Sequence, residues 1–369
     1  MKILQIAPLW ERVPPPAYGG TEAVVSLLTE ELTRQGHDVT LAASGDSETT
    51  ARLHAVYPRS LRSAHELKDR NPYDWAHIAS ALAIAPNFDV VHNHAGELAM
   101  AMSELVTPPI LATMHCLTTP DTEFVWKRYR GAYNTISRSQ RHSLPSLPQA
   151  HFAGYVYNAV DVESFPFQAK KGDDVLFLSR IAPEKGADLA IEVARRTGRR
   201  LLIAGKVDRY DEAYFTEIIE PQLDGEQIVY VGEANACEKR DLYRNARCVL
   251  MPLQWEEPFG LVMPEAMACG TPVIALRRGS APELIEHGVT GYVVDTVDDM
   301  VEAEKIVGRI DPAQCRAHVR ERFSPARMAE GYVSIYERIL ASVPVRKPQP
   351  HIEIKKPSED SDAQRLAAV

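Results

Sequence analysis

Apolar positions along the chain follow two rhythms. Compact runs at residues 2–7, 38–43, 88–94, 109–115, 132–138 and 151–156 are too short for helices and predict strands. Between them, Val24, Val25, Leu27, Leu28 and Leu32 recur at helical spacing, and residues 75–85 read the same way. Thr21 is the predicted N-cap of the first helix and Gly36 its stop. Residues 8–16 form a proline-rich loop, while residues 48–71 carry no regular pattern.

Near residue 160 the alternation starts again. Strand-like runs at 174–178, 200–204, 227–231, 248–251, 272–276 and 291–294 alternate with helical segments at 187–196, 212–222, 239–246 and 261–269. A last amphipathic helix over residues 327–340 has Met328, Tyr332, Ile335, Tyr336 and Ile339 at its apolar positions. Strand and helix in steady alternation predict an α/β protein with two Rossmann-like units. Each would be a doubly wound parallel sheet, and the two would face a shared cleft. The expected units are residues 1–160 and 161–325, with a helix over 326–342. Residues 343–369, rich in Pro, Lys and acids, are predicted to be disordered.

Composition narrows the function classes. A formal net charge of −9 argues against sequence-independent nucleic-acid binding, which needs clustered Lys and Arg. Cys116, Cys237, Cys248, Cys269 and Cys315 are scattered, without a Cys-x-x-Cys pair, and read as reduced thiols of a cytoplasmic protein. The opening residues are too soon interrupted by Pro8 for a signal peptide, and no apolar run reaches the ~20 residues that span a bilayer. Peripheral membrane contact and oligomeric state stay open.

The candidate chemistry collects where predicted strands end. Glu257 stands just before the helical segment 261–269 and Glu265 lies on it, with seven residues between them. Carboxyl ends of strands are where open α/β sheets bind ligands. There the N–H groups of Phe259, Gly260 and Leu261 are placed to meet a phosphate, and Gly260 allows close approach. A glycosidase pair needs carboxyls roughly 5–9.5 Å apart. Eight helical residues rise about 12 Å, which disfavours that reading without excluding it. Gly19 and Gly20 open the first helix where a backbone can approach a phosphate, and the same pair also fits a plain turn. Arg180 closes a strand and Lys185 begins the next helix, so both can reach the cleft as fixed cations. His92 and His94 share one side of a strand, but no third metal ligand of suitable type is near, and His92 reads as an internal hydrogen-bonded histidine. His115 closes its strand before a loop and is the better functional candidate. Asp-x-Asp occurs only at Asp360-Ser361-Asp362 in the tail, so no metal is expected.

Together these stretches resemble glycosyltransferase family 4 from Met1 to about Leu340. The most specific part is the Glu-x7-Glu block, with Glu257-Pro258-Phe259-Gly260-Leu261 and Glu265-Ala266-Met267-Ala268-Cys269-Gly270-Thr271-Pro272. Support comes from residues 179–186, from Gly19-Gly20-Thr21-Glu22, from Gly279-Ser280-Ala281-Pro282-Glu283 and from Asn158-Ala159-Val160-Asp161, where the family often has glycine at the Ala159 position. The resemblance implies a GT-B fold, with the final helix crossing back onto the first unit. It implies that Arg180 and Lys185 bind the donor diphosphate, that Glu265 binds the ribose and that Glu257 binds the transferred sugar. Backbone at Gly19, Gly20, Phe259, Gly260 and Leu261 would complete that site. His115 would lie beside the sugar near the acceptor, and the base would sit against Val231-Gly232-Glu233. The activity implied is retaining transfer of a hexose from a nucleoside-diphosphate sugar, with UDP-glucose foremost. No cofactor or metal is implied, and the expected hydroxyl acceptor is a small molecule, a glycan or a lipid-linked acceptor. A nucleotide-sugar epimerase of the same fold and a non-catalytic nucleotide-sugar binding protein remain the alternatives.

Overall fold

The computed structural model describes residues 1–17 and 19–342, so the predicted disordered tail lies outside the described residues. The first sheet holds β1 (Lys2–Ile6), β2 (Asp38–Ala42), β3 (Arg52–His54), β4 (Val90–Asn93), β5 (Ile110–Met114), β6 (Ala132–Thr135) and β7 (His151–Tyr155). The second holds β8 (Val175–Leu178), β9 (Leu201–Ala204), β10 (Ile228–Gly232), β11 (Cys248–Met251), β12 (Val273–Leu276) and β13 (Gly291–Val294). Strand order is β3-β2-β1-β4-β5-β6-β7 in one and β10-β9-β8-β11-β12-β13 in the other, and neighbours pair in parallel. Each sheet is therefore doubly wound. The chain leaves the centre in one direction, then returns to build outwards in the other, so the order reverses between β1 and β4 and between β8 and β11. Crevices at such reversals are the natural ligand sites of α/β sheets.

Burial explains the short apolar runs. Every residue of β4, β5, β11 and β12 is buried, as expected for parallel strands covered on both faces. The last helix, Pro325–Ser342, turns Met328, Tyr332, Ile335, Tyr336 and Ile339 into the core between the first sheet and the helix Gly20–Arg34. Burying each such side chain contributes roughly 1.5–3 kcal/mol, so the crossover is firmly seated. Beside it Ala159 is buried, and Val160 N–H donates to the Phe323 carbonyl at 2.8 Å, which ties the two inter-unit crossings together.

Local differences from the sequence reading have clear causes. Thr21 is not the N-cap: Gly19 takes that place at φ 139°, with no side-chain cap, and the helix starts at Gly20. Residues 52–54 form an edge strand that the pattern does not reveal, because Arg52 and Leu53 are exposed. The helix expected from 239 starts at Ala236, where Asn235 and Glu238 form a reciprocal capping box. Residues 212–222 coil without being one α-helix: a π-helical turn, Phe215–Ile219, lies between Glu212–Tyr214 and Glu220–Gln222.

Candidate active site

Between the two sheets lies a cleft of about 460 Å³. Gly19, Gly20, His115 and Cys116 line it from the first unit, and Arg180, Lys185, Glu257, Phe259, Gly260, Leu261 and Glu265 from the second. The residues expected to hold the diphosphate, ribose and sugar, together with His115, all reach this one space. The second-unit groups stand on the loops after β8 and β11 and, for Glu265, on the short helix Val262–Ala268 that follows, at the reversal of strand order.

Lys185 and Glu257 come together from those two loops. Lys185 Nζ donates to Glu257 Oε2 at 2.5 Å, with both side chains only 13% and 12% exposed. Trp255 Nε1 donates to the same oxygen at 3.0 Å, and the lysine ammonium sits 4.3 Å from the centre of the indole ring. Backbone geometry holds the acid. Gly260 has φ 77°, and a Cβ there would lie 3.1 Å from Glu257 Cγ and 2.7 Å from Met263 Cε. From behind, Ser280 N–H donates to the Glu257 carbonyl at 2.9 Å.

Glu265 is held separately. Lys239 Nζ donates to Oε1 and the Tyr243 hydroxyl to Oε2, each at 2.9 Å. The two acids are thus paired each with its own lysine rather than with one another. Lys239 and Tyr243 are missing from the sequence reading. The capping box at Asn235 and Glu238 would have shown that helix to begin earlier, but not which face it turns to Glu265.

Arg180 is gripped by acids. It pairs with Glu184 and Asp211, and its Nε lies 3.8 Å from Asp208, which also takes Lys206 Nζ at 2.9 Å. A phosphate arriving here would exchange with carboxylates already in place. Of the residues expected at the base, Glu233 lines the cleft and also accepts from Arg62 of the first unit at 3.1 Å, while Val231 lines a neighbouring hollow instead.

In the first unit, the helix Gly20–Arg34 points its N-terminus at the cleft. Its first backbone bond runs from Ala23 N–H to the Gly19 carbonyl, leaving the N–H groups of Gly20 and Thr21 ahead of the helical ladder. The opposite short helix, Val262–Ala268, has fewer groups to offer, since Met263 and Glu265 N–H already bond Gly260 and Leu261 carbonyls. His115 is half-buried at the wall, and the surrounding protein pushes its pKa down to about 4 by desolvation, so it is neutral at physiological pH. Beside it, desolvation by the surrounding protein raises the exposed Cys116 thiol, with the Glu257 charge adding to the shift. His92 and His94 are buried and hydrogen-bonded within the protein. Among the described residues no cluster of His, Cys, Asp or Glu is arranged to hold a metal ion, and no helix is long and apolar enough to cross a membrane. Asp360-Ser361-Asp362 lies outside the described residues.

Comparison with known proteins agrees with this geometry. The family profile described as glycosyl transferases group 1 matches residues 161–311, and that of glycosyltransferase family 4 matches residues 18–150. A phosphatidyl-myo-inositol mannosyltransferase of Mycolicibacterium smegmatis is 28% identical over 86% of this chain and 86% of its own. Among solved structures, AviGT4, a glycosyltransferase involved in avilamycin A biosynthesis, is 26% identical at a TM-score of 0.69, covering 93% of this chain and 98% of its own. Anabaena HepE, solved with UDP and glucose, shares the fold at a TM-score of 0.67 and 17% identity, covering 92% of this chain and 100% of its own.

Proposed function

The chain belongs to the family-4 type of GT-B glycosyltransferases, and on that premise we propose that it moves a hexose from a nucleoside-diphosphate sugar to a hydroxyl acceptor. We take UDP-glucose as the donor, retention as the outcome and fixed cations in place of a metal. The observation that carries this reading is the Lys185–Glu257 pair, set at the strand-order reversal opposite Gly19, Gly20 and His115 in one cleft.

In this reading Lys185 and Arg180 leave their carboxylates for the donor diphosphate, where their charge counters the negative charge that grows as the glycosidic bond breaks. Glu257, freed of its lysine, accepts hydroxyls of the transferred sugar. Glu265, oriented by Lys239 and Tyr243, takes the ribose hydroxyls. The N–H groups of Gly20 and Thr21 face the phosphate from the other side. Backbone at Phe259, Gly260 and Leu261 closes round the sugar. The acceptor oxygen attacks from the face that the diphosphate leaves, and the leaving phosphate oxygen takes its proton. His115, neutral at physiological pH, meets the substrate through a hydrogen bond rather than a charge.

Calorimetric titration of UDP-glucose, GDP-mannose and ADP-glucose in EDTA, on wild type and Lys185→Ala, tests this. The expected result is metal-free binding of one donor, UDP-glucose in our reading, and a loss of turnover on the order of a hundredfold or more in the variant. Binding only with magnesium or manganese would overturn the fixed-cation reading, and a fully active Lys185→Ala would overturn the role of the pair. With the donor known, the acceptor screen includes inositol lipids, because the mannosyltransferase relative is named for one. The anomeric configuration of the product, read by NMR, decides retention.

A further inference from the structure

A line of buried polar side chains runs from the last helix, under the first sheet's central strands, to the cleft. Its direction follows from the donors and acceptors once the two buried rings are neutral. Asn134 Nδ2 donates to the Thr135 carbonyl at 3.2 Å; a carbonyl only accepts, so the amide cannot be the other way round. Its Oδ1 therefore faces Thr113, whose hydroxyl donates to it at 2.6 Å. With that proton used, Thr113 receives one from His92 Nε2 at 2.6 Å. His92 has no exposed surface, and burial keeps its ring neutral, so Nδ1 carries a lone pair and takes the Tyr336 hydroxyl proton at 2.7 Å. The Tyr336 oxygen then accepts from Gln5 Nε2 at 3.2 Å. That turns Gln5 Oε1 to His94 Nε2, which donates at 2.8 Å. His94 is buried and neutral too, so its Nδ1 accepts, at 2.9 Å, from His115 Nε2.

We propose that the last helix, through Tyr336, Gln5 and His94, fixes the cleft histidine as its Nε2–H tautomer, leaving His115 Nδ1 as a hydrogen-bond acceptor for a substrate hydroxyl. Tyr336, Gln5 and His94 are positioning residues here: none of them lines the cleft, and each acts only on its neighbour. Strand register makes the arrangement rigid. Gln5 on β1 is the direct partner of His92 on β4, and Thr113 on β5 that of Asn134 on β6. The hydroxyl's part in catalysis rests on the function proposed above; the tautomer itself does not.

Removing the Tyr336 hydroxyl leaves the Gln5 amide free to turn. Nε2–H would then face His94, moving the His94 proton to Nδ1 and so the His115 proton to its own Nδ1. The test is a long-range ¹H–¹⁵N spectrum of ring-labelled protein at neutral pH, without any sugar nucleotide. Wild-type His115 is expected with a pyrrole-type Nε2 and a pyridine-type Nδ1. In Tyr336→Phe the two forms are expected to mix or exchange, with kcat down about tenfold and nucleotide affinity unchanged, since only one hydrogen bond to the reacting sugar is altered. Tyr332→Phe is the packing control. Its hydroxyl lies 3.4 Å from both Thr113 Oγ1 and Asn134 Nδ2, beside the line rather than in it, so the His115 tautomer should stay as in wild type. A wild-type spectrum with the proton on His115 Nδ1 overturns the proposal even if no variant folds, and so does an unchanged tautomer in folded Tyr336→Phe. Failure of the donor titration would leave the spectrum standing.

Discussion

Glu22 shows how a single residue of a recognisable motif can carry a property that its motif does not announce. It belongs to the Gly19-Gly20-Thr21-Glu22 stretch, yet its carboxyl points into the protein, is 5% exposed, and accepts the Glu11 N–H at 3.4 Å. Burial raises its pKa from 4.5 to about 7, opposed by backbone hydrogen bonds and helped slightly by the Glu11 charge. Between those values the folded protein holds a proton that the unfolded chain has lost. Its contribution to stability is therefore full below pH 4.5 and lost as pH rises through 7. Glu22→Gln keeps the acceptor but does not titrate. It should be more stable than wild type at pH 8 by about 3 kcal/mol, and the gain should shrink to about 1 kcal/mol or less at pH 5. Urea unfolding of both proteins across that range isolates the effect, because every other titrating group cancels in the difference. An equal gain at pH 5 and pH 8 would mean that packing, not ionisation, separates them.

Elements deliver these residues through their ends. The loop 252–261 and the helix Val262–Ala268 hold Glu257 and Glu265 in one cleft only because Gly260 turns at φ 77°. A side chain at that φ strains the backbone by about 1–3 kcal/mol. Its Cβ also meets Glu257 Cγ at 3.1 Å, whereas the closer Met263 methyl can swing aside. Gly260→Ala should thus destabilise the protein by that strain and weaken donor binding as Glu257 is displaced. Thermal unfolding and the donor titration read the two effects, and wild-type values for both would show the turn to be relaxed. At this scale most of the cleft lining was legible: Arg180, Lys185, Glu257 and His115 follow strands, where polar groups closing an apolar run betray a ligand edge, and Glu265 stands on the short helix after one of them. Lys239 and Tyr243 were not, since a helix periodicity gives a face but not the neighbour it turns towards. Thr21 misled for a related reason, as its residue type suits a cap that Gly19, two residues earlier, already supplies.

Across the whole molecule the cleft depends on contacts that join distant parts of the chain. Glu283, on the short helix Ala281–Leu284, accepts the backbone N–H of Arg138 at 2.9 Å and of Ser139 at 2.6 Å, and the Tyr157 hydroxyl at 2.8 Å. Arg62 links Glu11 to Glu233 across the same opening. Closure that excludes water is what lets fixed charges act strongly on a leaving group. Glu283→Ala removes an acceptor from three donors at once, and should widen the opening, raising the radius of gyration in small-angle scattering and the donor KM several-fold. An unchanged radius would assign closure to the remaining contacts instead.

The sequence by itself determined the alternation of strand and helix, its restart near residue 160, and the chemistry at strand ends. Those are written in local order: an apolar run long enough for one strand, a glycine or proline that stops it, a polar group just past its end. The tertiary structure alone decided partnership. That Lys185 meets Glu257, that Glu265 rests on Lys239 and Tyr243, and that Tyr336 reaches His115 through Gln5 and His94 depends on strand order and on a helix returning across hundreds of residues. Periodicity records which side of an element faces inward. Only the packed chain, with each buried donor obliged to find an acceptor, settles what waits there.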